Sequence, residues 1–241
     1  MNIYMWSGPR NVSTALMRSF ENRDDTFVWD EPLYSYYLKE TGKTHPIGKE
    51  IINTYSFDLN EIIKNISKDY GTKKIHYQKH MAHHILEKTP IDWIKFGINC
   101  FLIRHPKEVI SSYIKKNKLI ESFDIGFPNQ FRIFKRVIDL NQNLIVINAK
   151  DLLNNPTNIL QKLCNKLNIS YDNKMLNWPK GPRDSDGIWS KFWYGSVNQS
   201  SGFEIHKNQE FKIPSKYTDI YKECLEIYSE LNSYSLNNEN K

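Results

Sequence analysis

Cysteine is scarce in this chain: three residues in 241, Cys100, Cys164 and Cys224, widely separated and odd in number. That excludes a disulfide framework and leaves no Cys-x-x-Cys pair for zinc or dithiol chemistry, so the three are expected as small apolar core residues. Long apolar runs are missing too. None approaches the length of a membrane span, and a first strand starting at Asn2 leaves no room for a cleaved leader; a cytoplasmic protein with no membrane partner is expected. No Pro/Gly/Ser-rich linker interrupts the chain, which predicts one domain over 1–232 and a disordered tail over 233–241, where Asn, Ser and Glu dominate. Negative charge is in the minority: Lys and Arg number 33 against 27 Asp and Glu, a net charge of +6 and a pI near 9.0. The excess favours an anionic ligand, although Lys115-Lys116-Asn117-Lys118 reads simply as a solvated helix end whose charge suits the dipole. Neither an RNP-like aromatic strand nor a basic recognition helix is present, so a nucleic-acid partner is not expected. No feature of the sequence specifies an oligomeric state.

What is present concentrates at the beginning. Asn2 to Trp6 has strand character and runs into Ser7-Gly8-Pro9-Arg10-Asn11-Val12-Ser13-Thr14, after which Ala15, Leu16, Met17 and Phe20 fall at helical spacing. Gly8 and Pro9 bend the chain. Asn11, Ser13 and Thr14 place hydroxyls and backbone amides where a helix N-terminus exposes unpaired N–H groups, an arrangement suited to an anion.

Further along, Thr26 to Trp29 reads as a second strand ending at Asp30-Glu31-Pro32, and Pro32 opens a helix through Leu33, Tyr36, Tyr37 and Leu38. Residues 41–57 read as irregular. Leu59, Ile62, Ile63 and Ile66 mark a helix ending near Gly71, and Lys74 to Lys79 forms a third strand that delivers Lys79 and His80 from its C-terminal end. Met81 to Glu87 reads as helical. Gly97 to Ile103 is a nearly continuous apolar run, the pattern of a strand buried on both faces, followed by Arg104 and a helix from Pro106. Another helix is expected over Asn129 to Asp139, a strand at Leu144 to Ile147, an amphipathic helix around Ile159 to Leu167, a long loop over Trp178 to Gly202, and a last helix from Pro214 to about Leu231. Strands alternating with helices predict an α/β, three-layer α/β/α fold on a central parallel sheet, resembling P-loop nucleotide-binding architecture, with the ligand crevice along the strands' C-terminal edge.

The opening stretch resembles a P-loop but has no Gly-x-x-x-x-Gly-Lys-[Ser/Thr], hence no Walker lysine. Together with Phe101 to Tyr113, where Arg104 precedes Ser112 by eight residues, it resembles the sulfotransferases that use 3′-phosphoadenosine 5′-phosphosulfate (PAPS). The resemblance implies that Pro9, Arg10, Asn11, Val12, Ser13 and Thr14, beside Gly8, cradle the 5′-phosphosulfate, Arg10 standing where the family has lysine and Val12 where it has glycine. Arg104 and Ser112 are implied at the 3′-phosphate, for which a planar guanidinium fork and a hydroxyl are chemically apt. Pro179 to Trp189 is similar to the family's late nucleotide-covering loop and implies further contacts from Lys180, Gly181 and Arg183.

Sulfuryl transfer needs a group to take the acceptor's proton and cations at the departing phosphate. Two bases stay open: Glu31, where some relatives carry a glutamate, and His80, which follows Lys79 much as in the family's Lys-x-His; Lys79 is expected at the sulfuryl oxygens. His80, His83 and His84 have a metal-like spacing on a helix, but no fourth ligand accompanies it and no metal is expected. Trp29, Tyr34, Tyr36, Tyr37, Phe192, Trp193 and Tyr194 are candidates for an acceptor pocket. The reading is thus a PAPS-dependent transferase acting on a hydroxyl or amine of a small molecule; carbohydrate, amino-acid-derived metabolite, lipid headgroup and phenol all stay open. The rivals are a P-loop kinase of a nucleoside or small metabolite and a non-enzymatic binder of 3′-phosphoadenosine 5′-phosphate (PAP) or nucleic acid.

Overall fold

The computed structural model describes residues 1–68, 74–205 and 210–238. The chain runs β1 (Asn2–Ser7), α1 (Ser13–Glu21), β2 (Thr26–Asp30), α2 (Tyr34–Thr41), α3 (Gly48–Thr54), α4 (Leu59–Ile66), β3 (Ile75–Met81), β4 (Ile98–Ile103) and α5 (Pro106–Tyr113). It continues through α6 (Phe127–Asp139), β5 (Ile145–Asn148), α7 (Ala149–Asn154), α8 (Pro156–Lys166), α9 (Ser190–Trp193), α10 (Gly195–Gln199) and α11 (Thr218–Ser233). The five strands form one sheet in the order β2-β3-β1-β4-β5, every neighbouring pair parallel. This is an α/β fold. All strand C-termini share one edge, and the chain switches from the β2–β3 side of β1 to its β4–β5 side, the place where such sheets hold ligands.

Alternation along each strand sorts side chains onto two faces. Ile3, Met5, Cys100 and Leu102 meet Leu16, Met17 and Phe20 of α1 and Ile159, Leu160 and Leu163 of α8. Tyr4, Trp6, Phe101 and Ile103 meet Ile133, Phe134 and Val137 of α6 and Leu231 of α11 on the other face. Each fully buried aliphatic or aromatic side chain contributes about 1.5–3 kcal/mol, so these two apolar layers hold helices against both faces of the sheet. The three cysteines are buried free thiols. No helix among the described residues is long and apolar enough to cross a membrane.

Several elements differ from the expectation. β3 runs on to Met81, and the expected helix over Met81 to Glu87 is replaced by a single 3-10 turn, Ala82–His84. Residues 41–57 contain α3, and the loop from Trp178 to Gly202 contains the short α9 and α10. The tail is not free over 233–238: Ser235 bridges to Val146, Leu236 donates its N–H to the Val146 carbonyl, and Leu236 is buried against the sheet. Its remaining residues, 239–241, and Gly71, near which a helix end is expected, lie outside the described residues, while α4 already ends at Ile66 with Ser67 as its C-cap.

Candidate active site

The turn leaving β1 needs glycine at its first position, because a Cβ on Gly8 would lie 2.3 Å from the Ile125 carbonyl oxygen. Gly8 therefore shapes the turn without lining the cavity. Arg10 and Val12 follow with φ of 65° and 57°, a left-handed backbone that costs a β-branched residue most. Such strain is held only where the surrounding fold dictates the loop's path. Val12 caps α1 without a side-chain hydrogen bond, and no acidic residue stands in the helix's first turn. The N–H groups of that turn, with the Ser13 and Thr14 side chains beside them, border a cavity of about 860 Å³ lined by residues 9–15. Asn11 donates from Nδ2 to the Leu102 carbonyl at 3.2 Å, tying the turn to β4, while its buried Oδ1 has no partner.

Arg104 follows the end of β4 and Ser112 lies in α5; the structure brings both to the Arg10 turn. Arg104 donates from Nη1 to the Arg10 carbonyl at 2.8 Å and from Nε to Glu108 at 2.9 Å. Arg10 donates from Nε to Ser112 Oγ at 2.8 Å. Burial and then the Arg104 charge push Arg10 below the usual arginine value, the signature of two cations crowded at one place. Arg10, Arg104 and Ser112 all line the cavity, with Lys116 and Lys118 farther along the same wall.

Across the cavity, at the C-terminal ends of β2 and β3, lies a buried charge cluster. The register sets Asp30 beside Lys79. Lys79 Nζ donates to Asp30 Oδ1 at 2.9 Å, Glu31 Oε1 at 2.6 Å and Tyr194 OH at 2.5 Å. Lys79 and Asp30 side chains are 1% exposed and Glu31 is 10% exposed, on a strained φ of 44°. Burial drives the Glu31 carboxyl up, the Lys79 ammonium pulls it back and the Asp30 carboxylate pushes it up again, with a net upward shift. For Lys79, burial acts downward but the two carboxylates outweigh it, so it stays a firm cation.

His80 is a correction. Because β3 continues through it, His80 points to the face opposite Lys79, with its ring 4.5 Å from Trp6 and 5.9 Å from Trp93. Its Nε2 pairs with Gln78 Oε1 at 3.1 Å, and burial pushes its pKa down to about 3. It does not line the cavity, and the helical face shared with His83 and His84 does not exist. His83 and His84 instead border the cavity beside Tyr34, Tyr37, His45 and Trp193. His84 stacks between Tyr34 and Tyr37, 4.8 Å from each, and Tyr34 OH pairs with His45 Nδ1 at 2.6 Å. Of the aromatics expected there, Tyr34, Tyr37, Trp193 and Tyr194 line the cavity; Trp29, Tyr36 and Phe192 do not.

The late loop is a second correction, since Lys180, Gly181 and Arg183 lie away from the cavity. Arg18 of α1, 1% exposed, donates from Nη2 to Asp186 at 2.7 Å, and Asp186 also accepts the Arg183 N–H. Gly181 donates its N–H to Asn198, and Arg183 Nη2 reaches the Pro179 carbonyl, so the loop closes on itself and on α1. Its inner end does reach the site, where Gly187 N–H donates to Asp30 Oδ2 at 3.1 Å. The residues that sequence reasoning passed over are therefore Asp30 and Tyr194 as partners of Lys79. Asp30 beside Glu31 was the available sign; the pairing of β2 with β3 that gives it meaning is not local.

Comparison with a family model shows the family. A family model for a sulfotransferase domain matches residues 1–234. Two curated Arabidopsis thaliana proteins, branched-chain-amino-acid aminotransferase-like proteins 1 and 2, are 34% identical over 233 residues and 32% identical over 228. The matches take in 96% and 94% of this chain but only 42% and 40% of those proteins, so the chain spans about two fifths of their length. Among solved structures, the sulfotransferase domain of the Synechococcus PCC 7002 olefin synthase superposes with a TM-score of 0.55 at 13% identity, covering 95% of this chain and 94% of that one. The sulfotransferase domain from the curacin biosynthetic pathway gives 0.55 at 16% identity, covering 96% and 97%. At such identities these likenesses show the fold, while the family match over nearly the whole sequence shows the membership. The chain belongs to the sulfotransferase domain family.

Proposed function

We propose that this domain moves a sulfuryl group from PAPS to a hydroxyl or amine of a small-molecule acceptor, with Glu31 as the base. The observation that carries the reading is the hydrogen-bonded set Arg104, Arg10 and Ser112, set on the same cavity as the uncapped N-terminus of α1 and the Glu31 carboxylate. The site suits the donor: a helix N-terminus without a side-chain cap or an acid in its first turn and two crowded guanidinium groups offer places for two phosphate-type anions on one nucleotide.

Bound PAPS supplies an activated sulfuryl group on a phosphate leaving group. The first-turn amides of α1, with Ser13 and Thr14, hold the 5′ end and stabilise charge on the departing phosphate. Arg104 and Ser112 hold the 3′-phosphate; Arg10, bonded to Ser112, spans the two. Glu31 accepts the acceptor's proton as the acceptor oxygen or nitrogen bonds to sulfur and the sulfur–oxygen bond to the 5′-phosphate breaks. A carboxyl held above its ordinary range is a better base at neutral pH than an ordinary one. The aromatic wall of Tyr34, Tyr37 and Trp193 seats the acceptor.

The test is single-turnover transfer from labelled PAPS into a metabolite extract, read as a mass-shifted product, with PAP affinity measured separately. Glu31→Gln is expected to lower transfer by about 10²–10⁴-fold, the range of general base catalysis, and to leave PAP affinity unchanged. Full-rate transfer by Glu31→Gln removes Glu31 as the base, and no sulfated product from the parent protein removes the activity.

A further inference from the structure

We propose that Asp30 and Tyr194 are positioning residues that hold Lys79 so that its remaining N–H fixes the Glu31 carboxylate at the cavity wall. The inference rests on the proposed role of Glu31.

An ammonium group has three N–H donors, and Lys79 spends all of them: on Asp30 Oδ1, on Tyr194 OH and on Glu31 Oε1, at 2.9, 2.5 and 2.6 Å. It therefore has no donor left for a sulfuryl oxygen unless a buried pair breaks. Tyr194 OH is filled in the same way. It accepts from Lys79 and from Trp189 Nε1 at 3.3 Å, and its own proton goes to Asp30, 2.7 Å away at Oδ2. Asp30 Oδ2 takes the Gly187 N–H as well. Every group in this set except Glu31 is closed off from the cavity or saturated inside it, so the cluster is a frame with one open end. The late loop builds part of that frame: the buried Arg18–Asp186 pair anchors it to α1, and the anchored loop delivers Gly187 and Tyr194 to Asp30 and Trp189 to Tyr194.

The titratable groups facing Glu31 are Asp30 from β2, Lys79 from β3, Tyr194 from the α9–α10 junction and Tyr34 from α2. Two of them act on Glu31 with opposite signs. Asp30 disfavours the charged carboxylate, whereas the Lys79 ammonium, 2.6 Å from Glu31 Oε1 and held there by Tyr194, favours it. Asp30→Asn removes a repelling charge and leaves Lys79 to Glu31, so Glu31 should titrate at lower pH. Tyr194→Phe removes one of the two groups that hold Lys79 against Glu31, so the ammonium favours the charged carboxylate less and Glu31 should titrate at higher pH.

Infrared difference titration of the ligand-free protein reads this directly, with the Glu31 carboxyl band identified by its loss in Glu31→Gln. The band's midpoint is expected to move down in Asp30→Asn and up in Tyr194→Phe. The acid limb of kcat/KM should follow in the same two directions, with PAP affinity unchanged. In Tyr194→Phe, kcat should also fall by about tenfold or more, the scale of one charge-assisted hydrogen bond. Midpoints that stay in place, or shift the same way in both variants, overturn the proposal. Either variant alone is decisive by its sign, should the other lose its fold by circular dichroism. Full activity of Glu31→Gln would instead strike the assignment of the base, and the infrared shifts would still report on the frame.

Discussion

Glu31 is held in a state that ordinary solvent exposure does not give a carboxylate. Burial and Asp30 raise it, Lys79 opposes them, and the net shift is upward from a usual value of about 4.3. A base works only when deprotonated, so kcat/KM is expected to rise with pH through an apparent value above the ordinary carboxylate range and to be lost below it. A profile already flat at pH 5 and above, measured with saturating PAPS, contradicts that placement. Of the histidines bordering the cavity, burial lowers His83 to about 3 and takes His84 well below its normal value, so both shifts favour the neutral imidazole. At this scale the sequence showed which residue types were present and left their directions open. Glu31 and His80 were equal as bases on chemistry alone; the continuation of β3 beyond Lys79 through His80 to Met81 turns His80 into the layer of Trp6 and Trp93. Arg104 and Ser112 were legible because an arginine ending a buried strand and a serine two turns into the next helix are local features.

α1 is an element without the usual cap. Its N-cap, Val12, gives no side-chain hydrogen bond, and its first turn has no acid, although either would stabilise the helix. Thr14→Glu puts a carboxylate into that turn. It is expected to raise stability in chemical denaturation by about 0.3–1 kcal/mol and to weaken PAP binding more than about tenfold, because the new charge occupies and repels from the anion position. Unchanged PAP affinity would falsify the assignment of that helix end to the nucleotide. The strands were legible as elements because β1, β4 and β5 are buried on both sides and read as apolar runs. Short elements were not: α3 and α7 hold seven and six residues, too few for a helical period to stand out. The late loop shows the other limit. Its lysine, glycine and arginine match a family pattern, yet the Arg18–Asp186 pair, 168 residues apart in sequence, decides where they go.

On the scale of the whole molecule, the parallel order β2-β3-β1-β4-β5 gathers the α1 turn, Glu31 with Lys79, and Arg104 along one edge. An alternating pattern of strands and helices implies that edge, and so the cavity's place could be read before any side chain was positioned. Which strand pairs with which could not, and the Asp30–Lys79–Tyr194 frame depends on that pairing. The central claim is that this edge grips both phosphate ends of one nucleotide. Calorimetric titration of PAP against adenosine 5′-phosphate, which differ only in the 3′-phosphate, tests it most directly. PAP is expected to bind at least about tenfold more tightly, the equivalent of about 1.4 kcal/mol, with the advantage lost in Arg104→Ala. Equal affinity for the two nucleotides, or no detectable binding of PAP, would contradict the account.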